Sequence, residues 1–433
     1  MRWLPQLVQQ GGERLVGIMR RLDPYYRDAF DQWLRPPLQA ATQALIRLQL
    51  KDEGLALAEE RVREDEIEVT NRITDTMNRF LVKEYHNTGK IAERAGNTKT
   101  YGVVRATLVV NEDLPESLRV GVFREPRSYP AYVRFGGPGP RVVADVDDNG
   151  ILSIGVKLMD VPGPKLIDDE RYTQDFLGIS SPTFTTPDIY ENVKLQREVG
   201  RGAPAWYFLN PLDSHYLDMT MQGLYARAHA NPLELTYHSC VPYLFGTGRA
   251  IKYAINPRMA HKSKVGRMTY DYLREAMAAT LSQQGWVFDF LIQFQADPVT
   301  MPIENASVVW SQRVSPMIPV ATLEIPPQTF DSPAQLAFAR NLSFNPWHGL
   351  AEHRPLGNQN RARKAIYLST SNMRRSINGE RHVEPTGEEF FEEESGLEAG
   401  LAGAAVTRKR TSVGGGTVKG RQKEKGRYEK GAV

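Results

Sequence analysis

Arg363 and Tyr367 stand four residues apart in the run NRARKAIY, residues 360–367. Arg361, Ala362, Arg363, Lys364 and Ala365 are good helix formers, and Asn360 ahead of them can act as an N-cap. The spacing therefore predicts a helix on which Arg363 and Tyr367 share a face. A guanidinium beside a phenol favours the phenolate, and a phenolate is a hard anionic ligand suited to ferric iron. An ordinary surface arginine next to a half-buried tyrosine has the same spacing, and spacing alone does not separate the two. Other candidates are thinner. His348 and His353 share one loop but have no carboxylate or thiol set beside them in sequence. Residues 145–150 (DVDDNG) copy the first half of a calcium loop, yet Val156 stands where the bidentate Glu belongs, so they read as a hairpin turn with Asn149-Gly150 at its tip. The glycines of 136–140 and 246–248 complete no phosphate-binding pattern, and no G-x-S-x-G elbow accompanies the hydroxyls of LGISSPTFTT.

The loop before the predicted helix, NPWHGLAEHRPLG, is held out of helix by Pro346, Gly349 and Pro355, with Gly357-Asn358 as a turn signal. Together, this loop and the Arg363-x-x-x-Tyr367 pair resemble the proximal signature of haem catalases, in the small bacterial branch described as catalase-like. The resemblance runs from about residue 79 to residue 375. It implies haem b with Tyr367 on the iron, as in catalases generally, and Arg363 tuning that ligand. In AERAGNTKTYGVV, Arg94 takes the place of the family's Arg in the distal R-x-x-H segment, and in AYVRFGG, Arg134-Phe135 matches its Arg-Phe. Both arginines are expected at haem propionates, since a guanidinium pairs bidentately with a carboxylate. SIGVKLMD, YHSCVPYLFGTGRAIKY and FDSPAQLAFARNLSFNPWH look like the matching barrel and pre-helix segments.

Two departures bear on activity. Asn97 stands at the distal histidine position, and Ile179 follows Gly178 where the family has its distal asparagine. The family implies peroxide chemistry; these substitutions point away from efficient hydrogen peroxide disproportionation and toward an organic or fatty-acid hydroperoxide. The alternative is a haem-binding or structural descendant without catalysis.

The elements that would position these residues are legible in outline. The 433 residues, 41% of them hydrophobic, can bury a sizeable core. The expected class is α+β: an antiparallel β-barrel with surrounding helices. YGVVRATLVV, RVGVFR, AYVRFG, RVVADV and ILSIGVKLM read as short strands, and WVFDFLIQF as a strand with Phe288, Phe290, Ile292 and Phe294 on one side. Leu273, Met277 and Leu281 mark a helix, as do Ile73, Met77, Phe80 and Leu81. The first 70 residues read as a helical extension with Leu38, Leu45, Leu48, Leu55 and Val62 as its buried stripe. Residues 71–378 form the expected core and 379–433 a charged, glycine-containing tail that stays disordered. A net charge of +3 gives no reason to expect a specific nucleic-acid partner. One cysteine fits a cytoplasmic protein, no apolar run spans a bilayer, and a homo-oligomer stays open.

Overall fold

The computed structural model describes residues 4–148, 150–259 and 262–391. The helices are α1 (Leu4–Ala29), α2 (Arg35–Leu48), α3 (Glu66–Tyr85), α4 (Ile189–Gly200), α5 (Ala205–Leu209), α6 (Tyr216–Tyr225), α7 (Tyr272–Leu281), α8 (Pro333–Asn341) and α9 (Asn358–Asn378). The strands are β1 (Thr100–Val110), β2 (Ser128–Gly136), β3 (Ser153–Leu158), β4 (Gln174–Ile179), β5 (Tyr237–His238), β6 (Tyr243–Leu244), β7 (Ala250–Pro257), β8 (Trp286–Phe294) and β9 (Ile318–Ile325). Eight of them close a ring in the order β5-β4-β3-β2-β1-β9-β8-β7, because β7 also pairs with β5, and β6 hangs on β7. Every pairing is antiparallel, which makes an α+β barrel fold.

Alternation decides which side chains enter the ring. Val104, Ala106, Leu108 and Val110 of β1, and Trp286, Phe288, Phe290 and Ile292 of β8, are buried in one core. Phe123, Phe176, Phe245, Tyr253 and Phe290 fill the interior, with Phe176 and Phe290 in edge contact at 4.9 Å between ring centroids. The barrel is thus a packed core, and a ligand site belongs on its outer face. α7 closes one end through Leu273, Met277 and Leu281. Gly102, at a bulge in β1, lets α7 and Phe330 approach: a Cβ there would lie 2.3 Å from the Phe330 ring and 2.7 Å from Met277.

Several expected elements differ. RVGVFR and RVVADV are not strands but single 3₁₀ turns, Gly121–Phe123 and Asp145–Asp147. Gly121 takes φ +55° and its α-carbon abuts the His353 ring, which ends any strand there. Asp145 is buried, accepting from Leu273 N and pairing with Lys99 at 2.7 Å, so DVDDNG is a turn fastened to α7 in the β2–β3 connection; Asn149 lies outside the described residues.

α2 ends at Leu48, and its buried face is Thr42, Gln43 and Ile46, not the expected leucines: Leu38 and Leu45 are about half exposed, and Leu48 is 81% exposed, as is most of Val62. Polar contacts explain the choice of face. Gln43 donates to Ser307 O at 2.9 Å and accepts from Val309 N at 2.9 Å, and Arg47 donates to Val309 O at 2.9 Å. Ile46, on the buried face and outside the expected stripe, packs on Met221, Leu224 and Val308. Ile46→Ala is therefore expected to lower stability by about 2–4 kcal/mol, whereas Leu45→Ala stays within roughly 0.5 kcal/mol, as denaturant midpoints would read.

The start of the expected tail is also ordered. Residues 379–391 run back across the barrel: Tyr132 Oη donates to Glu389 at 2.6 Å, Arg105 to Gly387 O at 2.6 Å, and Phe391 packs on Phe338. Residues 392–433 lie outside the described residues.

Candidate functional site

α9 starts at Gly357, whose φ of +83° and approach to the Ile303 carbonyl leave no room for a side chain; a Cβ would sit 2.6 Å from that oxygen. The helix therefore begins at Asn358, and Asn360 is not its N-cap. Asn360 is instead fully buried in the first turn, donating through Nδ2 to Pro242 O at 2.8 Å and accepting from Arg363 Nη1 at 2.9 Å. Arg363 so oriented donates through Nε to Tyr367 Oη at 3.2 Å, with its guanidinium carbon 5.0 Å from the Tyr367 ring centroid. Burial lowers the pKa of Arg363, but Tyr367 and Tyr243 beside it outweigh burial and raise it above the ordinary arginine value. The NPWH loop is laced to this turn by Trp347 Nε1 to Asn360 O at 2.7 Å and Asn345 Nδ2 to Lys364 O at 3.2 Å. Arg361 pins it to Glu60, ahead of α3, and to Glu66, the first residue of α3, both at 2.6 Å.

Two turns further along α9 lies a second constellation. Arg374 donates to Arg340 O and Asn341 O, and Arg94 to Ala339 O and Leu342 O, so both guanidiniums clasp the C-terminal carbonyls of α8. Arg134, on β2, donates to Asn97 O at 2.7 Å and Thr100 Oγ1 at 2.9 Å. All these acceptors are neutral. Arg94 Nη1, Arg340 Nε and Arg374 Nε are buried with no hydrogen-bond partner among the described residues. Burial, and then the Arg134 charge, pull Arg94 well below its ordinary value; burial pulls Arg134 to about 10; burial and Arg94 pull Arg374 down. Glu93 is the carboxylate these arginines face, and burial keeps it raised in spite of them. Arginine does not give up its proton in a folded protein, so these shifts register buried positive charge short of anions. A ligand with carboxylates fits such a cluster.

Catalase structures match this arrangement of strands and helices. A fungal catalase superposes with a TM-score of 0.50 at 14% identity, over 68% of this chain and 60% of that one. Catalase A of Saccharomyces cerevisiae superposes with a TM-score of 0.52 at 13% identity, over 67% and 62%. The fold is catalase-like. The chain spans about 60% of the length of these catalases. No protein-family model matches the sequence, and no curated protein matches it.

On this catalase-like frame the expected residues fall into two groups. Arg363 with Tyr367, and Arg94 with Arg134, are brought together as pairs. Asn97 adjoins the second pair, in a left-handed turn with φ 47°, its carbonyl held by Arg134 and its amide donating to Pro138 O. Ile179 ends β4, half-exposed on the outer barrel face. Arg374 was missed from sequence; its signal is the seven-residue step from Tyr367, which returns to the same helix face about 10 Å along the axis.

The two loop histidines part company. His353 points at the barrel mouth, accepts from Val122 N at 3.1 Å and is pushed down to about 4 by burial. His348 enters a buried cluster with Glu170 and Asp175, whose ligand atoms lie within 4.8 Å of one another. The Lys157 ammonium stands among them, 2.7 Å from Asp175 Oδ1 and paired with Glu170, so it holds the place a cation would take. Among the described residues no helix is long and apolar enough to cross a membrane.

Proposed function

We propose that this chain is a haem protein that converts organic or fatty-acid hydroperoxides. The observation that carries the proposal is the spacing on α9: a tyrosine hydrogen-bonded by a buried arginine, and two turns on, a cluster of buried guanidiniums short of anions. Tyr367 would hold the iron of haem b, with Arg363 orienting its phenol oxygen by hydrogen bond. Arg94, Arg134 and Arg374 would pair with the propionates and satisfy the orphaned nitrogens. When bound, the haem would supply the electrons for peroxide chemistry, and Tyr367, Arg363 and the arginine cluster would position it.

The residues on the distal side set the substrate. Asn97 can hydrogen-bond a peroxide oxygen but cannot accept and return a proton, and a positioned acid–base is worth roughly 10²–10⁴ in rate. Ile179 replaces a polar group by an apolar one, which suits an alkyl chain better than hydrogen peroxide. The same two residues favour the second reading, a haem-binding descendant without catalysis. The test is reconstitution of the full chain with ferric haem, followed by turnover of cumene hydroperoxide beside hydrogen peroxide. The alkyl substrate is expected to be consumed with a kcat/KM at least about tenfold higher than hydrogen peroxide. Haem uptake without turnover of either would leave the second reading.

The buried Cys240 supports a cytoplasmic setting, and the outward leucines of α1 and α2 support association between copies of the chain.

A further inference from the structure

α7 closes the end of the barrel where β1 begins, through the contacts around Gly102. At the opposite end Val110, the last residue of β1, pairs with Ala321 of β9, and Phe294, the last of β8, pairs with Ile251 of β7. Side chains that point inward recur at every second residue of a strand. Along β8, Ile292 is fully buried and Phe294, the next residue on that side, is only half-buried. The apolar core is therefore uncovered at this end, where a hollow of about 590 Å³ lies. Small-molecule sites fall between roughly 300 and 1,000 Å³, and the mouths of β-barrels are among their usual places. The basin is apolar: Leu114 and Leu118 belong to the barrel core, and Phe294 and Ile318 pack against it. Its outer wall is tied to the sheet by Asn111, whose backbone N–H donates to Val320 O at 3.1 Å and whose Nδ2 donates to Pro319 O at 3.2 Å.

Arg249 is the one cation in this lining among the described residues. It ends the turn between β6 and β7, where Gly246 and Gly248 take φ +73° and +71° and Phe245 N donates to Arg249 O at 2.9 Å. Its guanidinium carbon lies 5.5 Å from the ring centroids of both Phe245 and Phe294, so two aromatic faces hold the group in place. Nη1 donates to Ser117 O at 2.7 Å, and Arg249 has no ion-pair partner among the described residues. A guanidinium carries five N–H donors, so most of them are left for a ligand.

An oriented guanidinium above an apolar basin suits an anion with an apolar body. Asp113, exposed in the same lining, adds a negative charge, which disfavours a doubly charged phosphate and leaves a singly charged carboxylate. We infer that this barrel mouth binds a monocarboxylate with an apolar body: the carboxylate accepts from Arg249, and the body covers Leu114, Leu118, Phe294 and Ile318. The site shares no residue with α9 or the arginine cluster, so it stands whether or not the chain binds haem.

The test is calorimetric titration of the full chain with decanoate, beside 1-decanol as the uncharged probe of the same chain length. The wild-type chain is expected to bind decanoate saturably. Arg249→Met, whose stem still covers the two rings, should weaken decanoate by about 10–100-fold and leave decanol unchanged, since a hydrogen bond to a charged group is what it removes. Ile318→Trp, which fills the basin, should weaken both ligands, and both variants should keep the wild-type circular dichroism spectrum. No saturable decanoate binding by the wild-type chain overturns the inference. So does an affinity indifferent to both substitutions, which would put the carboxylate elsewhere on the protein. Equal losses of decanoate and decanol in Arg249→Met would show that the arginine shapes the basin without recognising charge, and overturn it too.

Discussion

Tyr367→Phe is expected to abolish the high-spin ferric spectrum of the reconstituted protein and to lower hydroperoxide turnover by more than 100-fold. The change removes one oxygen, the phenol oxygen to which Arg363 donates. Outer-shell partners of metal ligands are typically worth 10–100-fold in affinity or activity. Arg363→Ala should fall in that range, because it leaves the phenol but removes the hydrogen bond that orients it. The order of the two variants is the discriminating result. A ferric spectrum indifferent to Tyr367, with haem bound, would place the ligand elsewhere. Fold loss does not confuse the reading, because Tyr367 is half-buried at the edge of the small α3–α4–α9 cluster rather than in the barrel core.

The pieces of this site that could be seen in the sequence are those fixed by local spacing. Arg363 and Tyr367 are neighbours because a helix makes them so, and β8 alternates because one face is filled by Phe288, Phe290 and Ile292. What could not be seen depends on contacts far apart in the chain. The α2 face was misjudged because leucines are favoured in cores on average, while Gln43 and Arg47 find carbonyls more than 250 residues away. Residues 119–124 look like a strand until Gly121 meets His353. Arg374 has only its seven-residue step from Tyr367 as a signal, and one arginine in a basic run otherwise reads as a solvated charge; its convergence with Arg94 and Arg134 comes from the fold.

Lys157→Met is expected to destabilise the protein by about 3–5 kcal/mol, the range seen when one partner of a buried ion pair is deleted. Lys157, Glu170 and Asp175 are fully enclosed, and the ammonium lies between both carboxylates. His348 Nδ1 is 2.8 Å from Asp175 Oδ2, and its Nε2 is 3.1 Å from Asp169. Asp175 also accepts from Asn345 N, so the cluster anchors the loop that carries Phe344 over Gly155 and Trp347 onto α9. Without the lysine, two buried carboxylates face one another with only His348 between them. Neutralising the acids as well, in Lys157→Met/Glu170→Gln/Asp175→Asn, should recover most of the loss, because the penalty is the uncompensated charge and not the missing bond. The same cluster sets a pH dependence. Burial and Lys157 lower His348, but Asp175 and Asp169 outweigh them and raise it to about 9. A raised value stabilises fully below the unfolded histidine pKa near 6.5, and that contribution is lost as pH climbs through about 9. Stability should accordingly fall by about 2–3 kcal/mol between those limits, and His348→Asn should flatten the slope in urea titrations at stepped pH. A Lys157→Met midpoint within 1 kcal/mol of wild type would mean that the two carboxylates are not both charged in the folded protein, and the pH slope would then have to vanish with it.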